Sequence, residues 1–404
     1  MNKISYWLQL LLLPVLGISY LVPRDNSIWV FGSTFGRRFA ENPRYLYLYL
    51  SQNHQRDVRC IYISHQKEIV DFLMEHGYEA YTYHSLKGIY YSLRAGVYIF
   101  DNYSKDIDFW LSGGALKINL WHGSGNKKTN HDNEFDRIRH PKNQWERFKT
   151  FPRRLSDEKP GHYTLATSKT MAKIYVSAFA TDLSHILISG QPRNDMLFPS
   201  EQSHIQNLCT KKEQALIEQI MLCHEQGMTI LSYMPTFRDS EKLFFDVMDL
   251  KVFNDFLGDH HMLLVTKLHT KSKLKAEFEA IHYSNIINAD AEIDIYSFQK
   301  KIDILITDYS SVYTDFMLLN RPVIAFWYDW NEYSQDTRAC YVDQTEYMPE
   351  CRAASMTELM DALLLVQRED YCREQRLKSR DRMFDDTGVC SEKLYNKIRK
   401  ILQV

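Results

Sequence analysis

Asp303 to Tyr328, DILITDYSSVYTDFMLLNRPVIAFWY, decides the fold. Ile304-Leu305-Ile306-Thr307 is a short apolar run of the kind that forms a parallel strand buried on both faces. It gives way at Asp308-Tyr309-Ser310-Ser311, after which Val312, Phe316 and Leu319 recur at helical spacing with Tyr313 and Met317 beside them. Asn320-Arg321-Pro322 ends that helix, and Val323 to Phe326 reads as the next strand. A strand entering a helix through two serines aims the helix's first N–H groups, its positive dipole end and two hydroxyls at the carboxyl edge of the sheet. Phosphate binds well in such a place. The alternative is a serine that only caps the helix.

Outward from this unit the same alternation continues. Candidate strands at Ile28–Phe31, Val58–Ile63, Val97–Phe100, Ile118–Trp121, Tyr163–Ala166 and Ile186–Ile188 make one series. Thr229–Tyr233, Leu263–Thr266, Asn285–Ile287, Ile304–Thr307 and Val323–Phe326 make a second. Strands alternating with helices imply parallel sheets with right-handed crossovers. The expected fold is α/β, with two doubly wound, Rossmann-like domains facing each other. At 404 residues the chain is also too long for one ordinary core. The expected divisions are an apolar membrane-associated helix over 1–26, an N-terminal domain over 27–195, a C-terminal domain over 196–375 and a returning helix over 376–404. Ile4 to Val22 is strongly apolar but barely long enough to span a bilayer, and Pro14 interrupts it. A membrane span, a helix lying in the membrane interface and a helix packed on the domain all fit, with the interfacial helix preferred.

Composition narrows the class. Hydrophobic residues make up 45% and charged residues 25%, as in globular proteins, and a net charge of −2 gives no field for nucleic acid. Seven scattered cysteines with no CxxC spacing fit reduced thiols and support neither a zinc site nor a disulfide framework. Lys127 to Lys159 interleaves basic residues with Phe135, Trp145, Phe148 and Phe151, a mixture suited to anionic headgroups or a polyanionic substrate.

Ligands of open parallel sheets bind beyond the carboxyl ends of the strands. Those ends carry His122-Gly123-Ser124-Gly125, Gly190 to Asp195 with Arg193 and Asn194, Thr236 to Asp239 with Arg238, Lys267 to Lys271 with His269, and Asp308 to Ser311. Cations there suit a diphosphate, and histidine suits proton transfer near neutral pH. No HExxH, CxxC, GxGxxG, GxSxG or P-loop pattern occurs, and no metal ligand set is expected.

With these motifs in place, the chain resembles the CDP-glycerol glycerophosphotransferases, the teichoic-acid primases and polymerases and their capsule-synthesis relatives. The matching stretches are Trp29–Gly36 with Asn42, Leu120–Lys127, Gly190–Asp195, Tyr233–Asp239, Lys267–His269, Asp303–Ser311 with Asp315, and Arg338–Asp343. The resemblance implies a glycosyltransferase-B-like fold on the cytoplasmic membrane face. The C-terminal half would hold the CDP-glycerol donor and the N-terminal half a glycan or polyol-phosphate acceptor, lipid-linked at the membrane surface. It maps the family's important histidines onto His122 and His269 and its diphosphate-binding hydroxyls onto Ser310 and Ser311. Gly123, Arg193, Asn194, Asp195, Thr236, Arg238, Lys267, Asp308, Asp315 and Arg338 are the further expected substrate-binding residues. His122 is the expected general base. No tightly bound cofactor is expected, with free magnesium left open as a counter-ion. Ser124-Gly125, Thr270 and Arg338-Ala339 depart from the family's usual residues, which leaves a CDP-ribitol donor open. A nucleotide-sugar transferase of the same fold and an inactive membrane-attached scaffold are the other readings.

Overall fold

The computed structural model describes residues 3–236, 242–268, 272, 283–331, 333 and 339–403. The chain divides into two units: Met1–His122, Lys128–Asn207 and Phe384–Val404 form the first, and Gly123–Lys127 with Leu208–Met383 the second. The tail is therefore shared, with helix Arg373–Met383 in the second unit and helix Ser391–Leu402 in the first.

In the first unit, β1 (Asp25–Phe31), β2 (Arg59–Ser64), β3 (Ala80–Thr82), β4 (Ala95–Phe100), β5 (Leu116–Asn119), β6 (Tyr163–Ala166) and β7 (Ile186–Ile188) form one parallel sheet. Their order is β3-β2-β1-β4-β5-β6-β7. Val30 sits between Ile61 and Tyr98, and all three are fully buried, as continuous apolar strands with helices on both faces require. The second unit repeats the plan with β8 (Thr229–Tyr233), β9 (Met262–Thr266), β10 (Ile286–Asn288), β11 (Ile304–Thr307), β12 (Val323–Phe326) and β13 (Cys351–Ala353), ordered β10-β9-β8-β11-β12-β13. Its core packs Phe244, Phe253, Leu257, Leu264, Ile306, Phe326 and Leu363 together. In both sheets the strand order reverses beside the first strand, between β1 and β4 and between β8 and β11, and this opens a crevice at the carboxyl edge.

Two differences from the sequence expectation have local causes. The strand expected over Ile118–Trp121 runs from Leu116 to Asn119. The Asn119 side chain accepts the Trp121 N–H at 2.8 Å, and Trp121 turns into the left-handed region at φ 52°, which ends the ladder early. The three-residue edge strands β3 and β13 were not expected at all. Elsewhere, helix Val312–Phe316 tightens into a 3-10 turn over Met317–Leu319 and stops at Asn320, whose φ is 48°.

One polar cluster lies deep in the second unit. Fully buried Arg376 forms bidentate pairs with Glu350, at 2.8 and 2.8 Å, and with Asp370, at 2.7 and 2.8 Å. The Tyr313 hydroxyl donates to Glu350 at 3.0 Å, which ties the helix after Ser311 to this cluster. Removing one partner of such a pair costs about 3–5 kcal/mol.

The N-terminal segment is helical over Lys3–Leu8 and Leu13–Ser19, with a 3-10 turn between them at Gln9–Leu12, just ahead of Pro14. Among the described residues no helix is long and apolar enough to cross a membrane. Arg24 pins the segment's end by donating to the carbonyls of Ser19, Leu111 and Ser92 at 3.1, 2.8 and 2.7 Å. Leu8, Leu11, Leu12, Leu13, Ile18 and Leu21 stay exposed. Trp7 packs on Phe148 with centroids 4.9 Å apart, so this apolar face continues into exposed Trp145, Phe148 and Phe151. Lys149 lies over Trp145, and Arg147, Arg154 and Lys159 line a cavity of about 520 Å³ there.

Candidate active site

In the second unit the crevice between β8 and β11 is closed at its base by a carboxylate. Asp308, fully buried at the end of β11, accepts the Thr236 N–H at 2.9 Å and the Thr236 hydroxyl at 2.8 Å. The chain then rises to half-buried Ser310 and exposed Ser311. Ser311 stands at the N-cap of helix Val312–Phe316, yet its side chain makes no capping hydrogen bond. The capping alternative thus does not account for this hydroxyl. Lys267, after β9, donates from Nζ to the Ala291 carbonyl at 3.0 Å.

Residues 123–127 also belong to this unit and are held along their length. The Thr314 hydroxyl donates to the Ser124 carbonyl at 2.8 Å. The Asn126 amide donates to the Val342 carbonyl at 2.9 Å and accepts the Val342 N–H at 3.0 Å, and Lys127 bridges to Cys340. A Cβ added at Gly125 would stand 3.3 Å from the Ser311 Cβ, so the segment lies against the serine turn. Lys127 places its ammonium 4.9 Å from the Tyr333 ring and 3.5 Å from the Thr236 hydroxyl.

The first unit uses the same device. At the end of β4, buried Asp101 accepts the Thr34 N–H at 2.9 Å and the Ser33 hydroxyl at 2.8 Å. Fully buried Asp106 accepts the Phe35 and Asn102 N–H groups, each at 2.8 Å. Burial, with the Asp101 charge adding to it, pushes the Asp106 carboxyl well above the usual carboxylate range.

The backbone of Asp101 then orients His122. Its carbonyl lies 3.0 Å from His122 Nδ1 and can only accept, which assigns the proton to Nδ1 and the lone pair to Nε2. The imidazole is exposed and rests on the Trp121 ring with centroids 4.1 Å apart. The turn that carries it is strained at Trp121, and Gly123 follows at φ 149°, where a side chain would be disfavoured. It is clamped from beneath. Asn42 donates to the Trp121 and Leu120 carbonyls at 2.8 and 3.3 Å, and Arg193 donates to the His122 carbonyl at 3.0 Å while pairing with Glu41.

The expected site residues therefore separate. His122, Ser310 and Ser311 are accessible, and Gly123, Thr236 and Lys267 are half-buried beside strand ends. Arg193, Asn194, Asp195, Asp308 and Asp315 were expected to contact substrate, but each is at most 3% exposed. Asp195 accepts the N–H groups of Cys390 and Ser391 at 2.8 and 2.9 Å, anchoring the last helix, and Asp315 accepts the Tyr296 hydroxyl. Arg238, His269 and Arg338 lie outside the described residues. Asn42, Asp101, Asn126 and Thr314 carry supporting contacts that their sequence context did not reveal; the positions of Asn42 and Asn126 in matching stretches were the available signals.

The chain is 26% identical over 364 residues to a teichoic acid glycerol-phosphate transferase of Staphylococcus aureus, covering 85% of this chain and 84% of that one. It is 27% identical over 340 residues to a teichoic acid poly(glycerol phosphate) polymerase of Bacillus spizizenii, covering 81% of each. Its fold matches the solved structure of the H548A variant of the wall teichoic acid polymerase TagF with a TM-score of 0.73 at 22% identity, over 99% of this chain and 97% of that one. Residues 16–400 match one family throughout, and with them the two parallel sheets and their polar carboxyl edges find a single description: the chain belongs to the CDP-glycerol:poly(glycerophosphate) glycerophosphotransferases.

Proposed function

We propose that this protein transfers glycerol phosphate from CDP-glycerol to a hydroxyl of a poly(glycerophosphate) or glycan acceptor and releases CMP, in the synthesis of teichoic acid or a capsule polymer. The observation that carries the reading is the exposed His122 imidazole, whose Nδ1–H is committed to the Asp101 carbonyl. Nε2 takes the acceptor hydroxyl proton as the oxygen attacks the glycerol-bearing phosphorus; the bond from that phosphorus to CMP breaks, and CMP leaves with the electron pair. General base catalysis of this kind contributes roughly 10²–10⁴-fold. The Ser310 and Ser311 hydroxyls and the Lys267 ammonium meet the charge that develops on the donor's diphosphate.

In this reading Arg193, Asn194, Asp195, Asp308 and Asp315 hold the machinery in place and touch no substrate. The exposed leucines of the N-terminal segment, together with Trp145, Phe148 and their basic rim, rest on the cytoplasmic membrane surface, where a lipid-linked acceptor would be presented. The deciding experiment compares His122→Ala with the parent protein. Transfer and CMP release should be abolished while calorimetric CDP-glycerol affinity stays within about threefold. Lost donor binding with surviving chemistry would remove the imidazole from the base role.

A further inference from the structure

Beyond the serine turn, the carboxyl ends of β12 and β13 open into a cleft of about 470 Å³ lined by Trp327, Asp329, Trp330, Asn331, Arg352 and Glu358. Adjacent strands are about 4.8 Å apart, so it stands one or two strand spacings from the turn after β11. An aromatic path joins the two places. Tyr309, the residue before Ser310, lies 5.6 Å from the Trp327 ring and 5.5 Å from the Trp330 ring, and the two indoles stack at 5.0 Å and 19°.

The lining offers three kinds of contact. Arg352 is exposed, holds its guanidinium 4.8 Å from the Trp327 centroid and forms no ion pair among the described residues, so it is a planar cation open to an anion. The indole N–H of Trp327 is buried with no partner among the described residues. Asp329 and Asn331 supply oxygens that accept from hydroxyls. The Glu358 carboxylate accepts the Ala354 N–H at 2.7 Å, which holds one of its oxygens on the backbone.

We infer that this cleft is a subsite for a polyol phosphodiester, the repeat of an acceptor chain next to the one that reacts. This rests on the proposed transfer reaction. Arg352 takes the phosphodiester, the polyol's hydroxyls donate to Asp329 and Asn331, and its C–H edge packs on the indole of Trp330. A nucleobase could also stack on these rings, but it carries no charge for Arg352 to meet.

Calorimetry tests the subsite without turnover. Glycerol 3-phosphate and its phosphodiester-linked dimer and trimer are titrated into the full chain and into Arg352→Ala, Arg352→Lys and Trp330→Ala, with CDP-glycerol titrated in parallel. Dimer and trimer should bind the parent at least tenfold more tightly than the monomer. That gain should vanish in Arg352→Ala and Trp330→Ala and partly return in Arg352→Lys, with CDP-glycerol affinity within twofold throughout. Affinity independent of length, or a gain that survives both truncations, overturns the inference. A loss confined to CDP-glycerol gives the cleft to the donor's base and overturns it as well. Failure of the transfer reading shows separately, as a parent protein that neither binds CDP-glycerol nor releases CMP from it.

Discussion

Replacing Asn42 with alanine tests whether catalysis depends on the strained turn that carries His122. Asn42 is fully buried and makes three hydrogen bonds: to the Trp121 carbonyl at 2.8 Å, to the Leu120 carbonyl at 3.3 Å, and from the Arg193 N–H at 3.2 Å. Alanine leaves all three backbone groups unpartnered. A buried unsatisfied group costs about 1–3 kcal/mol, and with the longest bond discounted the loss is about 2–6 kcal/mol. Over most of the usual total stability of about 5–15 kcal/mol this leaves the variant folded at 25 °C, but Trp121 loses part of what holds it in the left-handed region. A shift of about 1 Å in a catalytic group typically lowers the rate roughly a hundredfold. We therefore expect kcat to fall about a hundredfold with the CDP-glycerol KM within twofold. Asn42→Asp should be worse, because a carboxylate oxygen would face two carbonyls. The assay pairs release of labelled CMP with urea unfolding of the same preparations. A destabilised Asn42→Ala protein that keeps the parent's kcat would refute the reasoning, as would a loss that only follows the folded fraction.

Three further outcomes are expected. Ser311→Ala should leave the melting temperature unchanged, since the hydroxyl caps nothing, and raise the CDP-glycerol KM roughly tenfold, the value of one charge-assisted hydrogen bond; an unchanged KM in steady-state kinetics would count against its role. Asp106 binds its proton more tightly in the folded protein than in the unfolded chain, so its contribution is complete below the ordinary carboxylate range near pH 4 and is lost as pH rises through its raised pKa. Asp106→Asn cannot titrate but turns an amide NH2 toward one of the N–H groups that the two carboxyl oxygens accept, so it should melt below the parent near pH 4 and close that gap as pH rises; parallel curves across a pH series would contradict this. Leu11→Ser with Leu12→Ser should lower sedimentation with anionic vesicles at least tenfold without altering turnover on a soluble acceptor, because burying one leucine contributes about 1.5–3 kcal/mol; unchanged sedimentation would put the membrane contact elsewhere.

The central strands of both sheets were legible because a strand buried on both faces must be a short unbroken apolar run, as Ile304–Thr307 and Val323–Phe326 are. The three-residue edge strands at Ile186–Ile188 and Ile286–Asn288 showed as apolar pairs or runs, whereas Ala80–Thr82 and Cys351–Ala353 were not legible, because Ala-Tyr-Thr and Cys-Arg-Ala carry no apolar run. At the site, residue types could be read but not burial. Arg193, Asn194 and Asp195 look like ligands at a strand end, yet the partners that occupy Asp195 are Cys390 and Ser391, far along the chain. Nor could sequence tell whether Ser311 caps its helix; that depends on the φ of −67° and ψ of −10° at which the residue sits.

The paired carboxylates Asp101 and Asp308 carry a warning for anyone screening this protein by loss of activity. Each stitches the ends of two strands together beneath a polar sheet edge, so under the proposed mechanism replacing either should lower turnover just as replacing His122 should. Ranked by phenotype alone, scaffold and chemist would be indistinguishable. An acid–base role for either aspartate should be credited only when the altered protein still binds its nucleotide and melts like the parent.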